Sequence, residues 1–316
     1  MLAYLARRLL FAVFLVFAVS SVSLVLARLA PGDYATGSIG VGARQDTIAR
    51  ARARYGLDQS IGAQYRDWLV RAAQFDFGRS LAYDRPVRDL IPESAANTAV
   101  LALTALVLAT LIGVPLGVIT GSRPGGFAST CIRFASIVLL SMPPLLTSLF
   151  LIFVAARTGW LPIAGMRSVV VPPAGAFLDL VHHLIVPAAA IGLPLAAMLE
   201  RLQSQAMSEV VGEPFVLATL ARGVPRSRVV WRGALKAALR PVAAVYGLIV
   251  GTLLSGSFAV EVITAWPGLG KLMLDALRAR DVYLVAGCAG AGAIFLAFGT
   301  LLSDVALALV DPRARR

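Results

Sequence analysis

The chain has 316 residues, of which 58% are hydrophobic and 15% charged, and its mean hydropathy is +0.80. A soluble domain cannot hide that share of apolar side chains, and no stretch alternates apolar and polar residues as a membrane β-barrel would. The formal net charge of +12 would suit a nucleic-acid binder, but its distribution points instead to orientation across a membrane, and no nucleic-acid partner is expected.

Six charge-free runs are candidates to cross about 30 Å of hydrocarbon. They are Leu9–Ala27, Thr98–Thr120, Phe134–Ala156, Leu184–Leu199, Pro241–Val260 and Val282–Ser303. The first is preceded by Arg7-Arg8, but no small-residue cleavage pattern follows and the run is long for a signal peptide, so it reads as a retained span. The fourth is short and carries Pro187 and Pro194, which leaves open a re-entrant or interfacial segment.

The region between the first two spans reads as a small domain or cap. Pro31-Gly32 ends the first span, and Gly37 to Gly42 reads as a flexible turn. Ile48–Tyr55 and Gln64–Ala73 read as short helices, with turns at Asp76-Phe77-Gly78 and Arg85-Pro86. With a cytoplasmic N-terminus, the short inner segments hold 14 basic residues and the short outer loops hold 5. That asymmetry sets the expected orientation by the positive-inside rule, with both termini inside. The long Arg28–Glu93 region holds the other ten basic residues with eight acids, and long loops translocate largely regardless of charge.

Arg201 to Arg240, between the fourth and fifth spans, carries seven basic residues. Glu209–Arg222 is predicted as one short helix with Pro214 near its first turn, where proline is tolerated. Gly223 ends it, and Pro225 restarts a helix over Arg226–Leu239, with Pro241 at the entry to the fifth span. A small-residue helix followed by a tight Gly-x-Pro turn allows close approach by a groove of another protein.

No catalytic constellation is present in the sequence. Gly268-Leu269-Gly270-Lys271-Leu272 fails as a phosphate loop, because Ser or Thr should follow the lysine and Ala265 stands where glycine is required. Cys131 and Cys288 sit at or within spans and read as small apolar packers; His182 and His183 lack metal partners nearby in sequence. Asp304 is the one acid assigned to a predicted span, either functional or a cap or partner of a neighbour such as Arg313. A proton-driven carrier would show several such groups.

The run Phe215-Val216-Leu217-Ala218-Thr219-Leu220-Ala221-Arg222-Gly223-Val224-Pro225 resembles the coupling loop of an ABC-importer permease. The chain as a whole resembles the first-permease, or B-type, subunit of the dipeptide/oligopeptide/nickel branch of that family. Support runs from Leu29-Ala30-Pro31-Gly32-Asp33 through Phe77-Gly78-Arg79-Ser80, Asn97-Thr98 and Ser141-Met142-Pro143 to Trp266-Pro267-Gly268-Leu269-Gly270, Ala279-Arg280-Asp281 and Asp311-Pro312-Arg313. It departs from the branch at Leu217-Ala218-Thr219, where the family name-motif reads Glu-Ala-Ala, and at Phe215, Arg222 and Gly233.

The resemblance implies an all-α, six-span, type I permease fold. Its parts would be an N-terminal helix (1–30), an extracytoplasmic region (31–95), a permease core (96–310) and a cytoplasmic tail (311–316), with a coupling loop at 205–236 and an outer-face loop at 261–281. The ATPase-coupling residues would be Phe215, Ala218, Ala221, Arg222, Gly223, Val224 and Pro225. The outer gate would use Glu261, Trp266, Pro267, Gly268 and Gly270, where Trp266 is alternatively a membrane-interface anchor. Implied partners are a sister permease of C type, two ABC ATPases that bind the ATP, an extracytoplasmic solute-binding protein and membrane lipid. The chain itself would carry no cofactor or metal, would hydrolyse nothing and would sit in a bacterial inner membrane. Peptide import is the expected function. Nickel or metal-chelate import is the alternative within the family, and a proton-coupled carrier the alternative outside it.

Overall fold

The computed structural model describes the backbone of residues 2–39, 45–72, 74, 76–168 and 175–310; it leaves undescribed the side chains at 2–5, 38–39, 45, 48, 51, 248, 251–252, 254–256 and 302–310. Among the described residues every regular element is helical, with one isolated bridge between Arg79 and Pro86. The helices are α1 (Leu2–Leu29), α2 (Tyr34–Ile39), α3 (Gln45–Arg54), α4 (Ile61–Ala72), α5 (Val87–Ser122), α6 (Phe127–Ser141) and α7 (Pro144–Thr158). They continue with α8 (Ala176–Val211), α9 (Pro214–Ala221), α10 (Arg226–Arg228), α11 (Leu235–Ile263), α12 (Leu269–Ala279) and α13 (Val282–Val310).

Among the described residues four helical stretches are long and apolar enough to cross a membrane: 6–29 of α1, α5, α8 and 282–301 of α13. The α6–α7 pair would be a fifth if it acts as one broken span. The remaining expected span, Pro241–Val260, lies within the 29 residues of α11, some of whose side chains are outside the described residues.

Five local expectations need correction. The third span, Phe134–Ala156, is not continuous: α6 and α7 meet at 106°. Met142 precedes Pro143, which disfavours the helical region for it, and it is extended at φ −97° and ψ 114°. The fourth span is not a short segment, because α8 runs for 36 residues with Pro187 and Pro194 inside it. Glu209–Arg222 is not one helix. The residue before Pro214, Glu213, is extended at φ −68° and ψ 146°, so α8 ends at Val211 and α9 restarts at Pro214. Beyond Pro225, α10 passes through a π-helical turn, Val229–Ala234, straight into α11, with Pro241 inside the helix. The expected turn at Gly37 to Gly42 also shortens, because Gly37 is already in α2; residues 40–44 lie outside the described residues. Asp33 and Thr36 exchange a capping box, Thr36 N–H to Asp33 Oδ1 at 2.9 Å and Asp33 N–H to Thr36 Oγ1 at 3.0 Å, which nucleates that helix.

The chain divides into two compact units, residues 1–99 with 267–297, and residues 100–266 with 298–316. In the first unit Val87, Leu272, Leu284 and Cys288 form one buried cluster, and Leu24, Trp68 and Ala286 another. Tyr65 Oη bonds Ser21 Oγ at 3.1 Å and holds α4 against α1.

In the second unit α5, α8 and α11 share a core that includes Leu101, Ala109, Ile191, Leu199, Ile249 and Trp266. Three glycines on one face of α5 bring its backbone against α8. A Cβ on Gly113, Gly117 or Gly121 would fall on the carbonyl oxygen of Ala196, Glu200 or Ser204, respectively. Close backbone approach through small residues is how helices associate where no hydrophobic driving force separates lipid from protein. Gly117→Val is expected to lower the thermal midpoint and folded yield of the detergent-purified subunit, since overpacking costs about 1–3 kcal/mol or more. Gly125→Val, where nothing lies within 4 Å, is the matched control; equal behaviour of the two would refute the packing assignment.

Candidate functional site

The residues expected to meet an ATPase form one exposed feature. Val216 is 1% exposed and inserts into a cluster with Met207, Val229, Val230 and Ala234, so α9 is anchored by a single buried side chain. Phe215, Ala218, Ala221, Arg222, Gly223 and Pro225 are exposed and Val224 is half-buried. Leu217, absent from the sequence-derived set, is 55% exposed, and Phe215, on the other flank of the buried Val216, is 49% exposed. Gly223 turns the chain at φ +80°, a conformation that favours glycine, and a Cβ there would meet nothing within 4 Å. The turn therefore demands glycine through its backbone, not through contacts inside this chain.

The segment is tied to the end of α5. The last carbonyls of a helix lack intrahelical partners, and here three are satisfied from outside. Arg226 Nη2 donates to the Ser122 carbonyl at 2.9 Å, Arg133 Nη2 to that of Thr120 at 3.1 Å, and Ser129 Oγ to that of Arg123 at 2.7 Å. Cationic groups at a helix C-terminus are favoured by the helix dipole. Arg226 joins the first turn after Pro225 directly to this end.

Two polar side chains on α8 lie just past the predicted fourth span. Glu200 is 2% exposed and accepts a 2.5 Å hydrogen bond from Thr120 Oγ1. Gln203 is fully buried against Gly117, and neither its Oε1 nor its Nε2 has a partner among the described residues. Glu200 ends the charge-free run at Leu199, so hydropathy alone leaves it outside the span. The glycines at four-residue spacing on α5 were the signal that this helix face continues inward.

The 261–281 segment is built in two parts. In the second unit, Glu261 and Trp266 are both completely buried. The Trp266 N–H closes onto the Glu261 carbonyl at 2.9 Å, around Ala265 at φ +52°, and the Gly165 N–H donates to the Thr264 carbonyl at 2.8 Å. Trp266 thus fills the core beside Leu101 and Ile249 and does not project as a loop tip or an interfacial anchor.

In the first unit, Pro267 is exposed, Gly268 buried and Gly270 half-buried. Asn97 Nδ2 donates to the Pro267 carbonyl at 2.9 Å and the Leu269 N–H donates to Thr98 Oγ1 at 2.8 Å, so Asn97-Thr98 holds the start of α12. Asp281 is fully buried; it accepts from Ser80 Oγ at 2.6 Å, the Ala82 N–H at 3.1 Å and the Leu284 N–H at 3.1 Å. It caps α13 and clamps the Ser80 loop at once. Arg280, in the left-handed region at φ +59°, lays its guanidinium where a Cβ on Gly32 would stand. Burial alone would raise the Asp33 carboxyl, but hydrogen bonds from Thr36 and from Arg52 at 2.6 Å hold it below the usual range.

Asp304 lies outside the residues whose side chains are described. Cys131 is exposed on α6, while Cys288 is buried. His182 and His183 lie against the backbone carbonyls of Trp160 and Asp179, each at 2.9 Å. Among the described residues no three metal-ligating side chains cluster.

Comparison with known families matches residues 113–316 to the binding-protein-dependent transport system inner membrane component, and residues 1–102 to the N-terminal part of such a membrane component. The chain is 32% identical over 315 residues to the oligopeptide transport system permease protein AppB of Bacillus subtilis (strain 168), covering 99% of each chain. It is 33% identical over 334 residues to the di/tripeptide transport system permease protein DppB of Pseudomonas aeruginosa (strain UCBPP-PA14), covering 100% of this chain and 99% of that one. A putative peptide permease of Brucella ovis is 31% identical over 321 residues. The chain belongs to the family of inner-membrane components of binding-protein-dependent transport systems. It is a multi-pass membrane permease and not an enzyme.

Gly223→Val forces a β-branched residue into the left-handed region, at about 1–3 kcal/mol. It is expected to leave the subunit in the membrane but to separate ATP hydrolysis from uptake, with Gly223→Asn milder because Asn tolerates that region. Normal uptake by the valine variant would remove the loop from the coupling role. Trp266→Ala empties a buried site at about 3–5 kcal/mol, so abundance and uptake should fall together, while Trp266→Phe keeps most of both. A Trp266→Ala subunit at full abundance with poor uptake would instead assign the side chain to gating.

Proposed function

We propose that this chain is the B-type permease subunit of an ATP-driven, binding-protein-dependent importer of di- and oligopeptides. The observation that carries this reading is similarity along the whole chain to permeases named for peptide transport, at 32% and 33% identity to AppB and DppB. None of the relatives described above is named for nickel, which favours peptide over metal-chelate import. The chain pairs with a C-type sister permease, two ATPase subunits that bind and hydrolyse ATP, and an extracytoplasmic solute-binding protein. The exposed apolar surface of α9, with the Gly223 turn behind it, fits a groove on the ATPase.

The bent α6–α7 pair and α11 complete six membrane crossings in this reading. Both termini and the α9 loop face the cytoplasm, supported by the 14 to 5 bias of basic residues in short segments. Residues 31–95 and the 261–281 segment then face outward. Closure of the ATPases pushes on α9 and Arg226 and tilts the helices to which they are fastened, so that a midplane path opens alternately to the two sides.

The test is uptake of a radiolabelled tripeptide by cells or proteoliposomes holding the full complex. Uptake should require ATP and the binding protein and persist when an uncoupler collapses the proton gradient. Loss with the uncoupler at constant ATP would establish a proton-coupled carrier instead. Saturable nickel uptake without peptide uptake would move the reading to the metal branch.

A further inference from the structure

Three of the charge-free runs end at one level of the second unit. Thr120 closes the second run, Leu199 closes the fourth and Phe134 opens the third. Their neighbours meet, because Thr120 Oγ1 donates to Glu200 and the Thr120 carbonyl accepts from Arg133. Here, between α6 and α8, lies a groove of about 390 Å³. That volume falls in the range of small-molecule sites, roughly 300–1,000 Å³. A level where three apolar runs give way to charge is that of the headgroups flanking the hydrocarbon.

Glu200 is almost fully buried and yet lines this groove. Its Oε1 is taken by the Thr120 hydroxyl, whereas its Oε2 has no partner among the described residues and keeps an accessible edge on the groove. Arg133 and Arg201 line the same groove, but neither forms an ion pair with Glu200. The nearly buried Ser136 and Ser204 hydroxyls beside them are also without a partner among the described residues. A buried acid with no cation against it is costly, so the open oxygen marks a place where a cation belongs. Thr120 holds the acid by its hydroxyl and Arg133 by its carbonyl without joining the two, which leaves each free for a different end of one ligand.

The groove also has a polarity gradient. Its α6 wall runs Arg133, Ser136, Ile137, Leu140 at helical spacing, and the last two are exposed apolar residues of the third run. A purely anionic headgroup would meet Glu200 in repulsion, and a small free zwitterion such as a dipeptide would leave the apolar end unfilled. We infer that the groove is a binding site for a phospholipid that carries a primary ammonium. The ammonium donates to Glu200 Oε2, the phosphate accepts from Arg201, from the remaining donors of Arg133 and from the serine hydroxyls, and an acyl chain lies along Ile137 and Leu140. The chemistry requires only a membrane permease; that the lipid comes from the inner leaflet rests on the orientation proposed above.

The experiment uses the complete complex in nanodiscs of phosphatidylglycerol holding a trace of phosphatidylethanolamine with a diazirine in one acyl chain, and adducts are mapped by mass spectrometry after illumination. Adducts are expected on 133–140 and 200–208. Unlabelled phosphatidylethanolamine should displace them at a mole fraction about tenfold or more below that needed with phosphatidylcholine, whose trimethylammonium has no N–H to donate; that ratio is the worth of a charge-assisted hydrogen bond. Glu200→Gln, which keeps an acceptor for Thr120, should erase the difference between the two lipids, and Arg201→Gln should weaken both alike. Equal displacement by the two lipids from the wild-type complex, which needs no variant to fold, would overturn the site, as would adducts confined to other segments. Displacement of the probe by millimolar Ala-Ala would give the groove to a free peptide instead. Both leaflets of a nanodisc carry the probe, so an error in the proposed orientation leaves every one of these outcomes unchanged.

Discussion

The backbone-to-backbone contact of α5 with α8 is the constraint on which the second unit depends. In a bilayer, lipid tails are as apolar as leucine side chains, so burying leucine between helices gains little. What holds two helices is dense van der Waals contact and shared hydrogen bonds, and both require the axes to come close. Gly113, Gly117 and Gly121 permit this by presenting no side chain to Ala196, Glu200 and Ser204, and Gly192 returns the favour from α8, where a Cβ would lie 3.1 Å from the Ala105 carbonyl. The same proximity lets Thr120 reach Glu200, so an acid is stabilised inside the contact by a 2.5 Å hydrogen bond.

The pairing decides how a push on the α9 loop would travel. The loop is a short helix between two tight breaks, Gly212-Glu213 and Gly223-Val224-Pro225. Its N-terminal side is the continuation of α8. Its C-terminal side is bonded through Arg226 to the carbonyl end of α5. Both roots of α9 therefore attach to the same close-packed helix pair. Interdigitated helices are not continuously deformable, so displacement of α9 shifts α5 and α8 together more readily than it bends either. The π-turn at Val229–Ala234, just beyond Arg226, interrupts the regular hydrogen-bond ladder of that root.

Much of this was legible in the sequence, and the failures have physical causes. Long apolar runs gave the helices because hydropathy reports what lipid tolerates. The bend between α6 and α7 escaped because proline is common in spans; only its position after a residue forced out of the helical region makes it a break. The length of α8 escaped because a charge was taken as the end of a span, whereas Glu200 is carried inward by a partner hydroxyl on another helix. Gly223 was readable because a glycine between a small-residue helix and a proline has few other uses. Trp266 was assigned to an outer gate by resemblance, with an interface anchor as the alternative; its full burial follows a turn at Ala265, φ +52°, which composition does not reveal.

The short motifs of the first unit show why order along a chain carries more information than any motif alone. Pro31-Gly32-Asp33 and Ala279-Arg280-Asp281 are some 250 residues apart, and each is unremarkable in isolation. In the folded unit Gly32 lacks a side chain so that the Arg280 guanidinium can occupy the space, and Arg280 Nη1 lies 3.3 Å from Thr36 Oγ1, the hydroxyl that caps with Asp33. Asp281 then fixes Phe77-Gly78-Arg79-Ser80 through the Ser80 hydroxyl, and Tyr283 packs over Gly78. Each motif is thus one half of a contact whose other half lies in a distant motif. Such halves constrain each other only when both are present, so their joint presence in sequence order signals this arrangement far more strongly than the count of matching residues suggests.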